Sequence, residues 1–443
     1  MRTGDGSMVW TCTRDACARL RGRSGLLVLA GLAASLLTGC DHRPESGVAF
    51  TPVVSFGEVG AGPGQFSYPR SLDVIETDGS SFIWVVDKLA RIQCVDADTG
   101  RAVGAFRTPA WDVGKPTGIT AWRSRDSAFD PAIGLAIGGE EKRERTLLFV
   151  ADTHYHRVLV YDTRGAMEAG AHGEVSPEPM VRFGEYGKGA GQLIYPTDVA
   201  VLEDARGAIQ RLYVSEYGGN DRVSIYEPIG TTIDEGFRFV RSFGTFGAGA
   251  DAKVVEFNRP QSLEIDAERG WLVVTDACNH RVGVLTLEGE AIRWMGEYEP
   301  GGDPTLVPDG AVVPDGAVDL SDVPAATQPM DESGAVGAGA AAETSRVRLR
   351  YPYGLALRAD GTALVSEFGA ARVHLIDLET GTSLATYGVR GSGPGELAAP
   401  WSVGLAHGQS RVLVLDSGNN RVQGFDLGPM IKRGVHARGN GQP

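Results

Sequence analysis

Residues 151–162 read ADTHYHRVLVYD, residues 275–285 read TDACNHRVGVL, and residues 416–426 read DSGNNRVQGFD. In each, an apolar run closes on an acid, a short polar turn follows, and an arginine opens a second apolar run. Two short β-strands joined by a tight turn produce this pattern, because strand side chains alternate between two faces. Working outward, each stretch is preceded by a proline, and the same order recurs six times. The prolines are Pro69, Pro116, Pro196, Pro260, Pro352 and Pro400. The acids are Asp87, Asp152, Glu216, Asp276, Glu367 and Asp416, and the arginines are Arg91, Arg157, Arg222, Arg281, Arg372 and Arg421.

Within the first unit, Ser71–Ile75, Phe82–Val86, Ile92–Asp96 and Ala102–Phe106 each read as a strand, separated by turn signals. Four strands in a unit of about 45 residues make one blade of a radial repeat, whose faces can be buried only against neighbouring blades. The expected fold is therefore all-β, a six-bladed β-propeller with four-stranded blades. After Arg421-Val422-Gln423-Gly424-Phe425-Asp426 the last unit lacks its fourth strand. Val53-Val54-Ser55-Phe56-Gly57, ahead of the first proline, has the sequence of that strand and is expected to close the ring.

These units, together with connectors such as GAGPGQFSYPRSLDV at residues 60–74, resemble those of NHL-repeat proteins over nearly all of residues 50–428. The resemblance implies the propeller fold. Functions in that family range from protein binding to enzymatic chemistry, so activity has to be argued from the site.

The N-terminus is a separate matter. Arg14, Arg19, Arg21 and Arg23 precede an apolar run from Leu26 to Leu37, which is too short to span a bilayer comfortably and reads as a secretory signal. It ends in Leu37-Thr38-Gly39-Cys40, similar to the bacterial lipobox, so Cys40 is the expected site of lipidation and the mature N-terminus. Two or three acyl chains there would anchor the protein stably. The reading is a signal peptide at 1–39, a short tether at 40–49, the propeller at 50–428 and a flexible tail at 429–443. The chain is then exported and held on the extracytoplasmic or periplasmic side of a membrane. Asp41 resembles an inner-membrane retention signal, without deciding between the inner and outer membrane. Of the remaining cysteines, Cys94 and Cys278 fall in the first and fourth units, too far apart in a ring to pair.

The full chain carries 42 Lys and Arg against 56 Asp and Glu. Without residues 1–39 the balance is 37 against 54, a formal charge of −17. Such a surface is repelled by phosphate backbones, which argues against nucleic acid and in favour of cations or basic partners. Proline spacings of 47, 80, 64, 92 and 48 residues demand insertions. Residues 301–345 hold eight acids, no Lys or Arg and a repeated VPDGAV, and are expected to be disordered. A charge-mixed insertion spans about Arg123 to Arg145 and is expected to be a solvated loop.

An acid and an arginine repeated in every unit are better explained as turn braces than as catalysts, since chemistry needs its residues once. Gly-rich connectors such as GKGAGQL and GSGPGEL lack the Lys-Ser/Thr and following helix of a phosphate loop. Some NHL-like propellers, the peptidyl-amidating lyases among them, are known for axial zinc held by histidines. His154, His156 and His280 are the residues to test for that here, although no axial trio can be drawn from their repeat positions. Calcium as in lactonase-like propellers needs several hard oxygens, and the positions just after the prolines offer one carboxylate, Asp198. Arg70, Asp198, Tyr353 and Trp401 are the candidate ligand-binding residues on the proline face. No catalytic residue, metal or other cofactor is assigned. The reading is a monomeric, membrane-tethered, non-catalytic module binding an envelope protein or peptide, with a metal-dependent lyase or hydrolase and a glycan or small-ligand binder as alternatives.

Overall fold

The structure is a computed structural model that describes residues 50–428 apart from 78, 113, 124–145, 169, 173–175, 231–232 and 299–346. The expected signal peptide, lipidation site Cys40 and tether, both expected insertions and the expected tail lie outside the described residues.

Six four-stranded antiparallel sheets form the blades of a β-propeller. The inner strands are Pro69–Thr77, Gly118–Arg123, Pro196–Glu203, Pro260–Asp266, Pro352–Leu357 and Pro400–Ala406, numbered here as blades one to six. Each pairs with the strand that ends on the repeated acid, and that strand pairs with the one that opens on the repeated arginine. Five inner strands start at the proline itself, which has no N–H to offer and so sits at the end of the ladder.

Closure comes from the N-terminus. Val54–Phe56 forms the outer strand of blade six, with Val54 opposite Gly424 and Phe56 opposite Val422. Gly57 then turns at φ +98°, and a Cβ there would lie 2.6 Å from the Phe66 ring. The turn therefore requires glycine. One junction departs from the pattern: blade one ends Phe106-Arg107, without the glycine, and its connector to blade two follows another course.

The hydrophobic core is divided among the blade interfaces, and each strand supplies two of them through its alternating faces. In the second strand of blade two, Leu148 and Val150 pack towards blade one, with Ile75, Trp84 and Phe106. Leu147, Phe149 and Ala151 pack towards blade three, with Val199, Leu212 and Val214. All five of these side chains are fully buried. Blades one and six share the last such interface through Leu72, Ile83, Leu413 and Val422, with Val54 and Phe56 against it. At about 1.5–3 kcal/mol per buried aliphatic or aromatic side chain, no blade can supply its own stability. The ring is the unit that folds.

Candidate functional site

The repeated acids and arginines all meet. Their shortest contacts are 2.8 Å for Asp87–Arg91, 2.7 Å for Asp152–Arg157 and 2.6 Å for Glu216–Arg222. They are 2.8 Å for Asp276–Arg281, 2.7 Å for Glu367–Arg372 and 2.8 Å for Asp416–Arg421. Blade four shows what the pair does. Asp276 also accepts the Asn258 amide at 2.7 Å, fixing the approach to the inner strand. Arg281 donates to the Ala248 and Glu256 carbonyls and lies 3.8 Å over the Trp294 ring. The pair thus clamps the connector onto the turn, and the glycines there leave carbonyls open to the guanidinium.

One residue before each arginine, Ala90, His156, Asp221, His280, Ala371 and Asn420 all adopt positive φ. In four blades this side chain accepts the amide that precedes the next blade's proline. Asn420 takes Tyr68 at 2.7 Å, His156 takes Tyr195 at 3.3 Å, Asp221 takes Arg259 at 2.8 Å and His280 takes Tyr351 at 3.2 Å. His156 and His280 are thereby neutral acceptors in a blade-to-blade latch, and burial with nearby Arg350 pushes His280 down to about 4. His154 lies apart from this role, its ring against the Lys115 backbone and Tyr195. Among the described residues no three His, Cys, Asp or Glu side chains are placed to hold a metal ion. Cys94 and Cys278 are free thiols.

The axis has two unlike ends. At the proline end, Arg70, Thr117, Thr197, Gln261, Tyr353 and Trp401 close the channel to about 10 Å³. Arg70, Tyr353 and Trp401 are buried, with Tyr353 stacked on Phe368 and edge-on to Trp401. They form a tightly packed floor at this end of the channel. Towards the other ends of the inner strands the channel widens to a well of about 420 Å³, whose rim includes the exposed Glu76 and Gly408. Arg123, which donates to the Glu76 carbonyl of blade one, and its strand partner Thr146 lie at this end of blade two.

Three carboxylates point into the well: Asp198, Asp73 and Glu264. Asp73 in blade one accepts the Ala121 amide of blade two at 2.7 Å, and Asp198 in blade three accepts the Ser262 hydroxyl and Leu263 amide of blade four. Glu264 makes no hydrogen bond among the described residues and senses the charges of Asp73 and Asp198. Burial pushes Asp73 up to about 6 and Asp198 up to about 7, and it raises Glu264 well above the usual carboxylate range. No Lys, Arg, His or Cys lines the well among the described residues. It offers oxygen acceptors and a negative charge that grows as pH rises.

The positions just after the prolines hold one carboxylate, Asp198, whereas Asp73 and Glu264 each stand four residues after their proline. In an inner strand the period of two carries every second residue to the axis, which was the available signal.

No family model matches the chain. The brain tumor protein of Drosophila melanogaster is 25% identical over 171 residues, 39% of this chain and 13% of that protein. The chain thus spans only a small part of this curated relative. Among solved structures, a structural genomics protein of unknown function from Bacteroides thetaiotaomicron VPI-5482 is similar, with a TM-score of 0.47 and 14% identity, covering 85% of this chain and 75% of that one. The hydrazine synthase of Kuenenia stuttgartiensis has a TM-score of 0.44 and 13% identity, covering 82% of this chain and 96% of that one. A streptogramin B lyase has a TM-score of 0.40 and 13% identity, covering 84% of this chain and 86% of that one. The six-bladed ring stands on the strand pairings themselves.

Proposed function

We propose that the chain is a lipid-anchored NHL-type propeller of a bacterial envelope, a non-catalytic module that binds a protein or peptide by taking a basic side chain into the axial well. The convergence of Asp73, Asp198 and Glu264 in the well is the observation that carries this reading. A cavity of about 420 Å³ is of the size that receives small ligands or a side chain, and a lysine or arginine would supply the donor that Glu264 lacks. The acidic mature chain would draw such a partner from a distance. The NHL assignment is supported by the six in-phase repeats and by the stretch shared with the brain tumor protein, itself an NHL-repeat protein. The anchor rests on the Leu37–Cys40 lipobox. It places the module at a membrane surface, where partners of low affinity are held at high effective concentration.

Two measurements test the reading. Metabolic labelling with radioactive palmitate should mark the parent chain and leave Cys40→Ala unlabelled; an unlabelled parent ends the anchoring part. Titration of the purified protein with short peptides should give binding for those bearing Lys or Arg and none for acidic or uncharged ones. Equal affinity for all three would overturn the assignment of the well.

A further inference from the structure

The floor of the well carries its own unfilled chemistry. Arg70 is 3% exposed, and among the described residues its guanidinium makes no hydrogen bond or ion pair. Its Nε is shut off from solvent with no acceptor, as is the indole Nε1 of Trp401, which is 6% exposed. The guanidinium lies over the Trp401 ring, its carbon 5.7 Å from the centroid, and both side chains line the narrow proline-end cavity.

Their neighbours cannot satisfy them. The Thr117 hydroxyl is shared with Thr153, and the Thr197 hydroxyl with Ser215 and the Pro260 carbonyl. The Gln261 oxygen is occupied by Arg259 Nε at 3.1 Å. Asp198 spends its oxygens on Val199, Ser262 and Leu263. Asp87, whose charge Arg70 senses, is bonded to Arg91, Ser67 and Leu89. A buried guanidinium without a counter-ion is costly, and so is each orphaned donor. In a chain with this excess of acids, a paired Arg70 was within easy reach. Burial and the nearby Arg259 push Arg70 down to about 10, the direction expected of a cation short of an anion.

The geometry points to a second ligand site, at the proline-end mouth, in which a carboxylate accepts from Arg70 and from Trp401 Nε1. Room of about 10 Å³ beside the donors admits one oxygen-sized group at a time. The ligand therefore presents the tip of a small carboxylate, and the bulk of any larger molecule stays outside. The carboxylate comes from a free short-chain acid or from the C-terminus of a peptide. This cavity borders the acidic well and shares Ser71, Asp198, Ser262 and Ser402 with it, but its donors, Arg70 and Trp401, lie outside the well, so their test reads separately from the function proposed above.

The test is the indole N–H resonance of Trp401 in the full-length protein, titrated with acetate, chloride and inorganic phosphate. Saturable displacement of that resonance by acetate, at least tenfold tighter than by the other two anions and lost in Arg70→Gln, is expected. Trp401→Phe identifies the resonance, and its unchanged melting would show that the floor still folds. A resonance unmoved by acetate, or moved equally in Arg70→Gln, would mean that the donors hold only water, and the proposal would fail. Acetyl-dialanine and its amide separate the sources: tighter binding of the acid than of acetate indicates a peptide terminus, and parity indicates a free acid.

Discussion

Asp198 of blade three accepts a hydrogen bond from the Ser262 hydroxyl of blade four at 2.8 Å. The same carboxylate takes the Leu263 amide at 3.0 Å, so it is both a weld between two inner strands and part of the wall of the well. Two residues beyond Ser262, Glu264 faces the same space with no donor. The welded acid is held for structure; the unsatisfied one is held at a cost.

That cost has a pH signature. Burial raises the folded-state pKa of Glu264 above its unfolded value. The folded state therefore binds the extra proton, and stability falls as pH rises through the range between the two values. Glu264→Gln removes no hydrogen bond, and it should stabilise the ring at pH 8, with the gain vanishing towards pH 4. Urea melts of both proteins across this range check the prediction.

Braces that hold more should cost more to break. Arg281 pairs with Asp276, donates to two carbonyls and covers Trp294. Arg157 pairs with Asp152 through Nε, while its Nη2 and Asp152 Oδ1 are buried without partners. Arg281→Met should destabilise by about 3–5 kcal/mol, the cost of an abandoned buried charge. Arg157→Met should cost less, and equal losses in denaturant midpoints would contradict the clamp.

The His280 latch titrates in the opposite sense to Glu264. Its folded pKa of about 4 lies below the ordinary histidine value, so its contribution is present above about pH 6.5 and is lost as pH falls towards 4. His280→Ala should cost about 1–3 kcal/mol at pH 7.5 by orphaning the Tyr351 amide, and less at pH 4. A loss independent of pH in thermal melts would argue against an imidazole acceptor.

Removal of residues 50–57 strips the outer strand from blade six. With Val54 and Phe56 gone from the interface of blades one and six, about 3–5 kcal/mol should be lost, or roughly 10 °C in Tm. Calorimetry that melts the truncated protein like its parent would show that the strand is not the closure.

The blades were legible in the sequence because their signals repeat: Pro, acid and Arg in phase six times, with alternation between them. Even the closing strand could be found, by what the last unit lacked. The well was not legible in the same way. Asp73 and Glu264 stand four residues after their prolines and Asp198 two, in three different blades, and only the ring brings them together. The latch was equally hidden, since Asn420, Asp221 and two histidines are unlike residues doing one task. The burial of Arg70 and Trp401 depends on how six strand ends crowd one axis, which no single strand's pattern records.

Calorimetric titration of a lysine-bearing peptide into the parent protein and Glu264→Gln, at pH 8 and pH 5, tests the acidic well most directly. With Asp73 near 6 and Asp198 near 7, the parent should bind at least tenfold more tightly at pH 8 than at pH 5, and Glu264→Gln should lose at least tenfold at pH 8. An affinity indifferent to both pH and the substitution would contradict the account.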